Sequence, residues 1–413
     1  MNFLKKSFMI FAGILVLCSN VFPQTGWFTQ TSATSEHLQS VCFVNDLTGW
    51  TVGYAGKILK TTNGGTNWIS QTSPTSNPLL SVFFVSATQG WAVGLAGDII
   101  ATGNGGTNWI LQTTGSTSAL NSVYFISALT GWAAGEFMTT LKTTNGGTNW
   151  TPLLSSSLPI KSVFFNNSLV GYIAGNGFLY KTTNGGLNWS VSVSNTAWFI
   201  YSVHFPAGSL STGYAVGMGS PSPPILKSTD SGANWSIQPV PLGNALTSVF
   251  FTNISTGWAA GWSGTIMYTS NGGTNWLDQL SNTGNSLRSI YFSSSTTGWA
   301  VGDLGTILKT TSGGITAIEP INNSIPEKYS LSQNYPNPFN PSTNIQFDIP
   351  KTSAVKLVVY DVLGKEISVL VSEELKAGTY NYIWNASALN SGLYFYKLSA
   401  DKFTDTRKMV LIK

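Results

Sequence analysis

The sequence predicts an all-β protein, a seven-bladed β-propeller followed by an immunoglobulin-like β-sandwich, and three observations predict it. A pattern recurs every 40 to 44 residues along most of the chain. Charged residues make up only 9% of the 413 residues, whereas glycine alone supplies 43. Short alternating segments separated by turn residues fill the last hundred positions. Few charges and many turn-forming residues favour short strands over helices.

The first 24 residues are typical of a secretory signal peptide. Lys5 and Lys6 give a basic start, and residues 8–18 form an uncharged apolar run. This run is too short to cross a bilayer, which takes about 20 residues. After cleavage only Cys42 remains, so no intramolecular disulfide can form. We therefore expect the exported fold to be stable through packing and strand hydrogen bonds alone.

A glycine followed by an aromatic residue marks each repeat. A strand-like segment precedes it, first seen as Ser-Val-Cys-Phe at 40–43. A repeat of this length holds four short strands, which is the period of a propeller blade. Residues 25–314 are therefore predicted to form seven blades. The glycines are Gly49, Gly90, Gly131, Gly171, Gly213, Gly257 and Gly298.

A second signature, present in six of the repeats, is the Asp box, Ser/Thr-x-Asp/Asn-x-Gly-x-x-Trp, first seen at 61–68. Its Asn or Asp can accept backbone hydrogen bonds in a turn, and its Gly can adopt the positive φ of a tight hairpin. The Trp is then directed into the apolar layer, so the box is interpreted as structural. The predicted structural residues are Asn63, Trp68, Asn104, Trp109, Asn145, Trp150, Asn184, Trp189, Asp230, Trp235, Asn271 and Trp276.

The last repeat stops at Gly314 without its final strand, and residues 25–31 parallel residues 66–72 of the first repeat. The N-terminal strand is therefore predicted to complete blade seven and close the ring, which leaves no open blade edge. Residues 315–327 are predicted to be a linker. Residues 328–413 contain about seven short strands, as expected for a sandwich.

The repeats resemble those of the photosystem II assembly/stability factor family, which are Asp-box propellers, over roughly residues 25–314. The resemblance implies the fold and a general ability to bind a partner. An arginine-rich patch associated with that family has no counterpart, because Arg288 is the one arginine between 25 and 314. The same shortage excludes a sialidase, which needs three arginines to hold its substrate carboxylate.

The C-terminal segment resembles the sorting domain of the type IX (Por) secretion system. This resemblance implies handling by that secretion machinery and delivery to the medium or the outer-membrane surface of a Gram-negative bacterium. The residues that carry it are Asn334, Pro336, Pro338, Phe339, Pro341, Gly364, Gly392, Lys408 and Lys413.

The charge pattern and the reactive residues limit the classes of function that the sequence supports. Residues 25–314 carry seven Lys and one Arg against seven acids, so no basic face for nucleic acid is predicted. His37, His204 and Cys42 lack ligand spacing, and neither a metal nor a cofactor is expected. Glu136 and Asp303 are the carboxylates considered as a hydrolytic pair, but they are interpreted as solvated loop acids.

The main hypothesis is a non-enzymatic, monomeric propeller that binds a protein or a glycan through one face. A glycoside hydrolase or polysaccharide lyase is the first alternative, and a structural or adhesive surface protein is the second. Binding residues are expected in loops that break the repeat, because blade-building residues recur whereas a site does not. The insertion at 217–224 is the largest such break. The candidate binding residues are Tyr54, Glu136, Phe137, Trp198, Trp262 and Asp303.

Overall fold

The computed structural model consists almost wholly of β strands and short turns. Within the described residues, no helix is long and apolar enough to cross a membrane. The predicted signal peptide, 1–24, lies outside them. The structure describes residues 26–154, 158–220, 223–240, 243–314, 319–322, 325–386 and 389–412.

Aromatic stacking between neighbouring blades holds the propeller together. Trp50, on the fully buried second strand of blade one, stacks on Phe84 of blade two with ring centroids 3.5 Å apart. Phe43 of blade one stacks in the same way on Trp299 of blade seven, again at 3.5 Å. Each such pair buries two large apolar rings at a blade interface. Gly49 is required beside Phe43, because a Cβ there would lie 2.5 Å from the phenyl ring.

The described part of the propeller forms seven blades of antiparallel strands. In blade order the strands are Leu38–Phe43, Gly49–Gly53, Ile58–Thr61 and Ile69–Gln71; Leu79–Phe84, Gly90–Gly94, Ile99–Thr102 and Ile110–Gln112; Leu120–Phe125, Gly131–Gly135, Thr140–Thr143 and Thr151–Leu154; Ile160–Phe165, Gly171–Thr182 and Ser190–His204; Gly213–Gly219, Ile225–Ser228 and Ser236–Ile237; Leu246–Phe251, Gly257–Gly261, Ile266–Thr269 and Leu277–Gln279; and Leu287–Phe292, Gly298–Gly302, Ile307–Thr310 and Phe28–Gln30.

The N-terminal strand Phe28–Gln30 lies in the last blade. It pairs with Ile307–Thr310, with Phe28 opposite Lys309, which is the pairing that the incomplete final repeat predicts. Trp27 is buried just before it and meets Phe292 edge-on at 5.7 Å. The two ends of the propeller segment thus share one sheet.

Blades four and five depart from the pattern of separate four-stranded sheets. The turn between the second and third strands is one residue shorter in blade four than in blade one, and Gly171–Thr182 runs on as one strand. Ser190–His204 likewise supplies the last strand of blade four and the first strand of blade five. The two blades therefore form a single six-stranded sheet.

A closed ring of serine hydrogen bonds joins the first strands around the propeller axis. Ser40 Oγ accepts a hydrogen bond from the Val82 N–H of the next blade, and the contact repeats in every blade at 3.1–3.3 Å. These bonds satisfy backbone donors that face no strand of their own blade. The serines whose Oγ atoms accept these hydrogen bonds are Ser40, Ser81, Ser122, Ser162, Ser202, Ser248 and Ser289.

The C-terminal segment is a sandwich of two four-stranded sheets around an apolar core that includes Phe347, Leu357 and Tyr396. The prediction of a linker over 315–327 is wrong for Glu319–Asn322, because this strand pairs with Gly378–Asn385 at the edge of the first sheet. The first sheet contains Glu319–Asn322, Ser330–Leu331, Ser342–Ile349 and Gly378–Asn385, and the second contains Ser353–Tyr360, Glu366–Leu375, Gly392–Ala400 and Phe403–Leu411.

The two ends of the sorting sequence meet in this sandwich. Asn334 is buried, and its amide donates hydrogen bonds to Thr343 Oγ1 at 2.9 Å and to the Pro336 carbonyl at 3.1 Å. Buried Phe339 exchanges backbone hydrogen bonds with the final strand, donating to Val410 O at 2.9 Å. Gly364 has the positive φ of a turn, and Lys413 lies outside the described residues.

Candidate functional site

Each first strand of the propeller contains a β-bulge at its second residue. In blade one, Leu38 pairs with Gly53 and Ser40 with Val52, so Gln39 is the extra residue. The residue before the bulge is always Leu or Ile and the residue after it is always Ser, whereas the bulged residue differs in every blade. Bulges commonly re-aim a side chain next to a functional site. These residues, here called the bulge ring, are Gln39, Leu80, Asn121, Lys161, Tyr201, Thr247 and Arg288.

The predicted loop residues lie at the same end of the blades as the bulge ring. The Tyr54 N–H donates to the carbonyl of His37, which immediately precedes the first strand, at 2.9 Å. The Glu136, Trp262 and Asp303 N–H groups make the equivalent bond in their own blades. The turn after the second strand and the chain leading into the first strand therefore share one face, here called the mouth face.

Asp303 holds two basic side chains on the mouth face. Its carboxylate accepts a bidentate pair of hydrogen bonds from Arg288, at 2.9 and 2.8 Å. His37 of the next blade contacts the same carboxylate, with Nδ1 2.9 Å from Oδ1. Partial burial would raise the pKa of Asp303, but the hydrogen bonds and charges of Arg288 and His37 outweigh it and hold the pKa below its ordinary value.

Glu136 is held by the same geometry three blades away. Its Oε1 accepts hydrogen bonds from Lys161 Nζ at 2.7 Å and from Asn121 Nδ2 at 2.9 Å. Partial burial would raise the pKa of Glu136, but these two partners lower it below its ordinary value. In both clusters the acid therefore binds the bulged residue of its own blade and a residue of the following blade.

The interpretation of Glu136 and Asp303 as solvated loop acids is wrong. Their side chains are only 33% and 18% exposed, and each is engaged in an ion pair. No hydrogen bond or ion pair joins the two carboxylates among the described residues. Each carboxylate is instead engaged by the basic and polar side chains of its own cluster.

Exposed aromatic rings stand beside these clusters at the tips of the turns. Phe137 is 62% exposed and adopts a positive φ of 55°, and Met138 after it has a φ of 47°. The equivalent turns of blades one, two, six and seven have glycine at the position of Met138. Left-handed backbone at a bulky residue is strained, and such strain concentrates at functional sites. Tyr54 and Trp262 are also exposed on the mouth face.

Trp198 differs from the other predicted residues because it packs inward. It is partly buried against the apolar core that contains Ile200 and Phe205, and it lies opposite Gly219. The insertion at 217–224 lies beside it, and Pro223 from this insertion lines a cavity of about 410 Å³. Trp198 thus supports the insertion rather than extending the exposed aromatic set.

Four residues of the site were not predicted from the sequence to belong to it, namely His37, Asn121, Lys161 and Arg288. The available clue for Asn121, Lys161 and Arg288 was variability at a fixed position, one residue before the constant serine of each repeat. No group of three His, Cys, Asp or Glu side chains that could hold a metal occurs in the described part of the chain.

The Asp boxes lie at the other end of the blades and build turns. In the first box, Asn63 Oδ1 accepts the Asn67 N–H at 2.9 Å, and Thr61 Oγ1 accepts the buried Gly65 N–H at 2.8 Å. Trp68 is buried and meets Phe43 edge-on at 5.8 Å. In the fifth box Asp230 makes the same bond to Asn234. Each box therefore fixes a hairpin and anchors it to the core.

Seven blades with Asp boxes, joined to a sandwich that carries a sorting sequence, define a secreted Asp-box β-propeller. Residues 68–219 and 226–319 match the family described as "Photosynthesis system II assembly factor YCF48", which is more than half of the chain. The chain belongs to this family. Residues 333–413 match the family described as "Secretion system C-terminal sorting domain".

Two solved structures share the propeller fold. One, "YCF48 bound to D1 peptide", is 18% identical, with a TM-score of 0.60 and coverage of 70% of this chain and 98% of that chain. The other, "YCF48 from Cyanidioschyzon merolae", is 20% identical, with a TM-score of 0.58 and coverage of 69% and 98%. The comparison with curated proteins gave no match.

Proposed function

We propose that this secreted propeller is not an enzyme and that its mouth face binds an extended polypeptide segment of a protein partner. One observation carries the proposal: the bulge ring sets seven different side chains on a backbone frame that is otherwise constant. A constant frame with variable side chains is what specific recognition requires, whereas residues needed only for the fold recur in every blade.

The chemistry of the mouth face suits a polypeptide. It presents the bases Lys161 and Arg288 and the acids Glu136 and Asp303, together with the neutral polar groups of other bulge-ring residues. Exposed Phe137 adds an apolar anchor at the rim. Mixed charges, hydrogen-bonding groups and aromatic anchors are the usual components of protein-binding surfaces. A related solved structure is entitled "YCF48 bound to D1 peptide", which supports the same ligand class.

Export places the binding partner outside the cell. The sorting domain directs delivery through the type IX secretion system, and we propose that it takes no part in binding. A Gram-negative outer-membrane surface or the medium around it is then where the propeller, as a monomer, meets its partner.

The test is a selection of random peptides on the purified exported protein, followed by measurement of Kd for the enriched sequences. Lys161→Met and Phe137→Gly should each weaken binding about tenfold or more. Glycine tolerates the φ of 55° at position 137, so the turn is kept. The control is Leu47→Ala, because Leu47 is 58% exposed in a turn at the Asp-box end of the blades.

Four results would contradict the proposal. Enrichment of no peptide would favour a passive structural or adhesive role. Peptide binding that Leu47→Ala alone weakens would move the site to the opposite face. Saturable binding of an oligosaccharide, lost in Phe137→Gly, would favour a glycan, which the exposed rings of Tyr54, Phe137 and Trp262 could stack on. Hydrolysis of that oligosaccharide, abolished in Glu136→Gln or Asp303→Asn, would instead establish an enzyme.

A further inference from the structure

A half-open cavity lies on the propeller axis, at the end of the first strands opposite the bulge ring. This axial cavity has a volume of about 370 Å³. Every blade contributes one wall residue, two positions after its constant serine. These residues, here called the axial ring, are Cys42, Phe83, Tyr124, Phe164, His204, Phe250 and Tyr291.

The axial ring forms a nearly continuous aromatic wall. Between neighbouring blades, the ring centroids lie 4.8 Å apart for Phe83 and Tyr124, 4.7 Å for Tyr124 and Phe164, and 5.6 Å for Phe164 and His204. The series continues through Phe250 to Tyr291 at 4.7 and 4.9 Å. Cys42 occupies the seventh position as a buried, free thiol. A wall of this kind offers π surfaces to an apolar guest.

Three polar side chains of the axial ring line this cavity, those of Tyr124, His204 and Tyr291. The Phe251 N–H donates to His204 Nδ1 at 3.3 Å, so a neutral imidazole carries its proton on Nε2. Burial lowers the pKa of His204 to about 3, which keeps the ring neutral near pH 7. The hydroxyls of Tyr124 and Tyr291 have no hydrogen-bond partner among the described residues.

Asn166 is the strongest single indication of a ligand. It lines the cavity, and its buried Nδ2 has no hydrogen-bond partner within the described structure. An unpaired buried amide donor costs free energy, so it calls for an explanation. Val44 and Val85 occupy the equivalent position in blades one and two, so the fold itself does not need an amide there.

The cavity also breaks the symmetry of the ring next to Asn166. The segment from the constant serine to the glycine of the second strand is two residues longer in blade five, from Ser202 to Gly213, than in blade one, from Ser40 to Gly49. Residues 206–210 of this longer segment line the cavity. No Asp, Glu, Lys or Arg occurs among the described lining residues. A charged guest would therefore lose its hydration without gaining a counter-ion.

We propose that the axial cavity binds an uncharged, flat aromatic molecule that carries a carbonyl oxygen. Its rings pack against the aromatic wall, and its oxygen accepts a hydrogen bond from His204 Nε2. A rotation of the Asn166 side chain brings its buried Nδ2 to the same oxygen as a second donor. The site is separate from the mouth face and does not depend on the function proposed for that face.

The test uses the full exported chain and three probes of similar shape, with Kd measured by equilibrium dialysis. 2-Acetylnaphthalene should bind saturably with one site per chain. 2-Ethylnaphthalene lacks the oxygen and should bind about tenfold more weakly, since it leaves buried donors unpaired. 2-Naphthoate carries a charge and should bind more weakly still.

Two variants with residues that other blades already carry test the donors. Asn166→Val copies Val44, and His204→Phe copies Phe83, so both should fold. Each should raise the Kd for 2-acetylnaphthalene at least fivefold and leave the Kd for 2-ethylnaphthalene unchanged. Thr252→Val, at the position of Asn166 in blade six, is the matched control and should alter neither. Absence of saturable binding, equal affinity for the three probes, or insensitivity to both variants would overturn the proposal, and none of these results bears on peptide binding at the mouth face.

Discussion

The imidazole of His37 lies 2.9 Å from the carboxylate of Asp303, so a polar contact on the mouth face joins the first blade of the propeller to the last. Lys161 and Glu136 make the corresponding contact between blades four and three at 2.7 Å. Both contacts cross a blade interface next to the bulge ring. The residues that shape the charge of the mouth therefore also couple neighbouring blades, and substitutions there should affect stability as well as binding.

Asp303→Asn should lower the free energy of unfolding by about 1–3 kcal/mol, because it weakens hydrogen bonds to two basic side chains. The pKa of Asp303 is lowered in the fold, so its stabilising contribution is present above the unfolded pKa of about 4 and is lost as pH falls through the folded pKa. Urea unfolding at pH 7 and pH 3 should show a smaller difference between wild type and variant at pH 3. The control, Asp278→Asn, changes an exposed carboxylate. An equal loss in both variants would argue against the cluster.

His204 should make the propeller sensitive to acid. Its pKa is about 3 in the fold and about 6.5 when unfolded, so the unfolded chain binds the extra proton between these values. Stability is then complete above pH 6.5 and falls toward pH 3, by at most about 1.4 kcal/mol per pH unit. His204→Phe should flatten this part of the curve of unfolding free energy against pH. An unchanged slope in the variant would assign the acid sensitivity to other groups.

Thr102→Val should destabilise the second Asp box by about 1–3 kcal/mol. Thr102 Oγ1 accepts the buried Gly106 N–H at 2.8 Å, and valine leaves that donor unpaired. Thr107→Val is the matched control, because Thr107 lies in the same turn and its hydroxyl is exposed. Thermal or urea unfolding should separate the two variants clearly. Similar midpoints would show that the box is not the structural device described here.

Trp27→Ala should cost about 3–5 kcal/mol, because it removes a buried indole from the blade that closes the ring. Its Nε1–H also donates to Gln279 at 2.8 Å, which the substitution leaves unpaired. Trp262→Ala is the comparison, since Trp262 is 38% exposed at a turn tip and should cost far less. A small effect of Trp27→Ala on the denaturant midpoint would mean that closure contributes little to stability.

The residues that build blades could be read from the sequence because they recur. The spacing of the Gly-Trp pairs predicts the blades, and the missing strand of the last repeat predicts the pairing of Phe28 with Lys309. The turn position shared by Tyr54, Glu136 and Asp303 likewise predicts one common face, which the turn hydrogen bonds show. Periodic signals of this kind need no knowledge of tertiary contacts.

The polar clusters could not be read in this way. A β-bulge is defined by the pairing of two strands, so Lys161 and Arg288 look like ordinary strand residues in the sequence. Arg288, which contacts Asp303, lies 15 residues away in the sequence. His37, which contacts the same carboxylate, lies at the other end of the propeller segment. The linker prediction was wrong at Glu319–Asn322 for a related reason, because a short edge strand with a proline has little periodicity of its own.

The pairing of Phe28–Gln30 with Ile307–Thr310 also constrains the order of events during folding. The seventh blade lacks its last partner until both segments are present together, although one leads the propeller and the other trails it. A chain that emerges from its N-terminus must therefore hold the first segment unpaired while the other six blades appear. Such a large separation in sequence makes ring closure a late step, which needs nearly the whole propeller segment to be present.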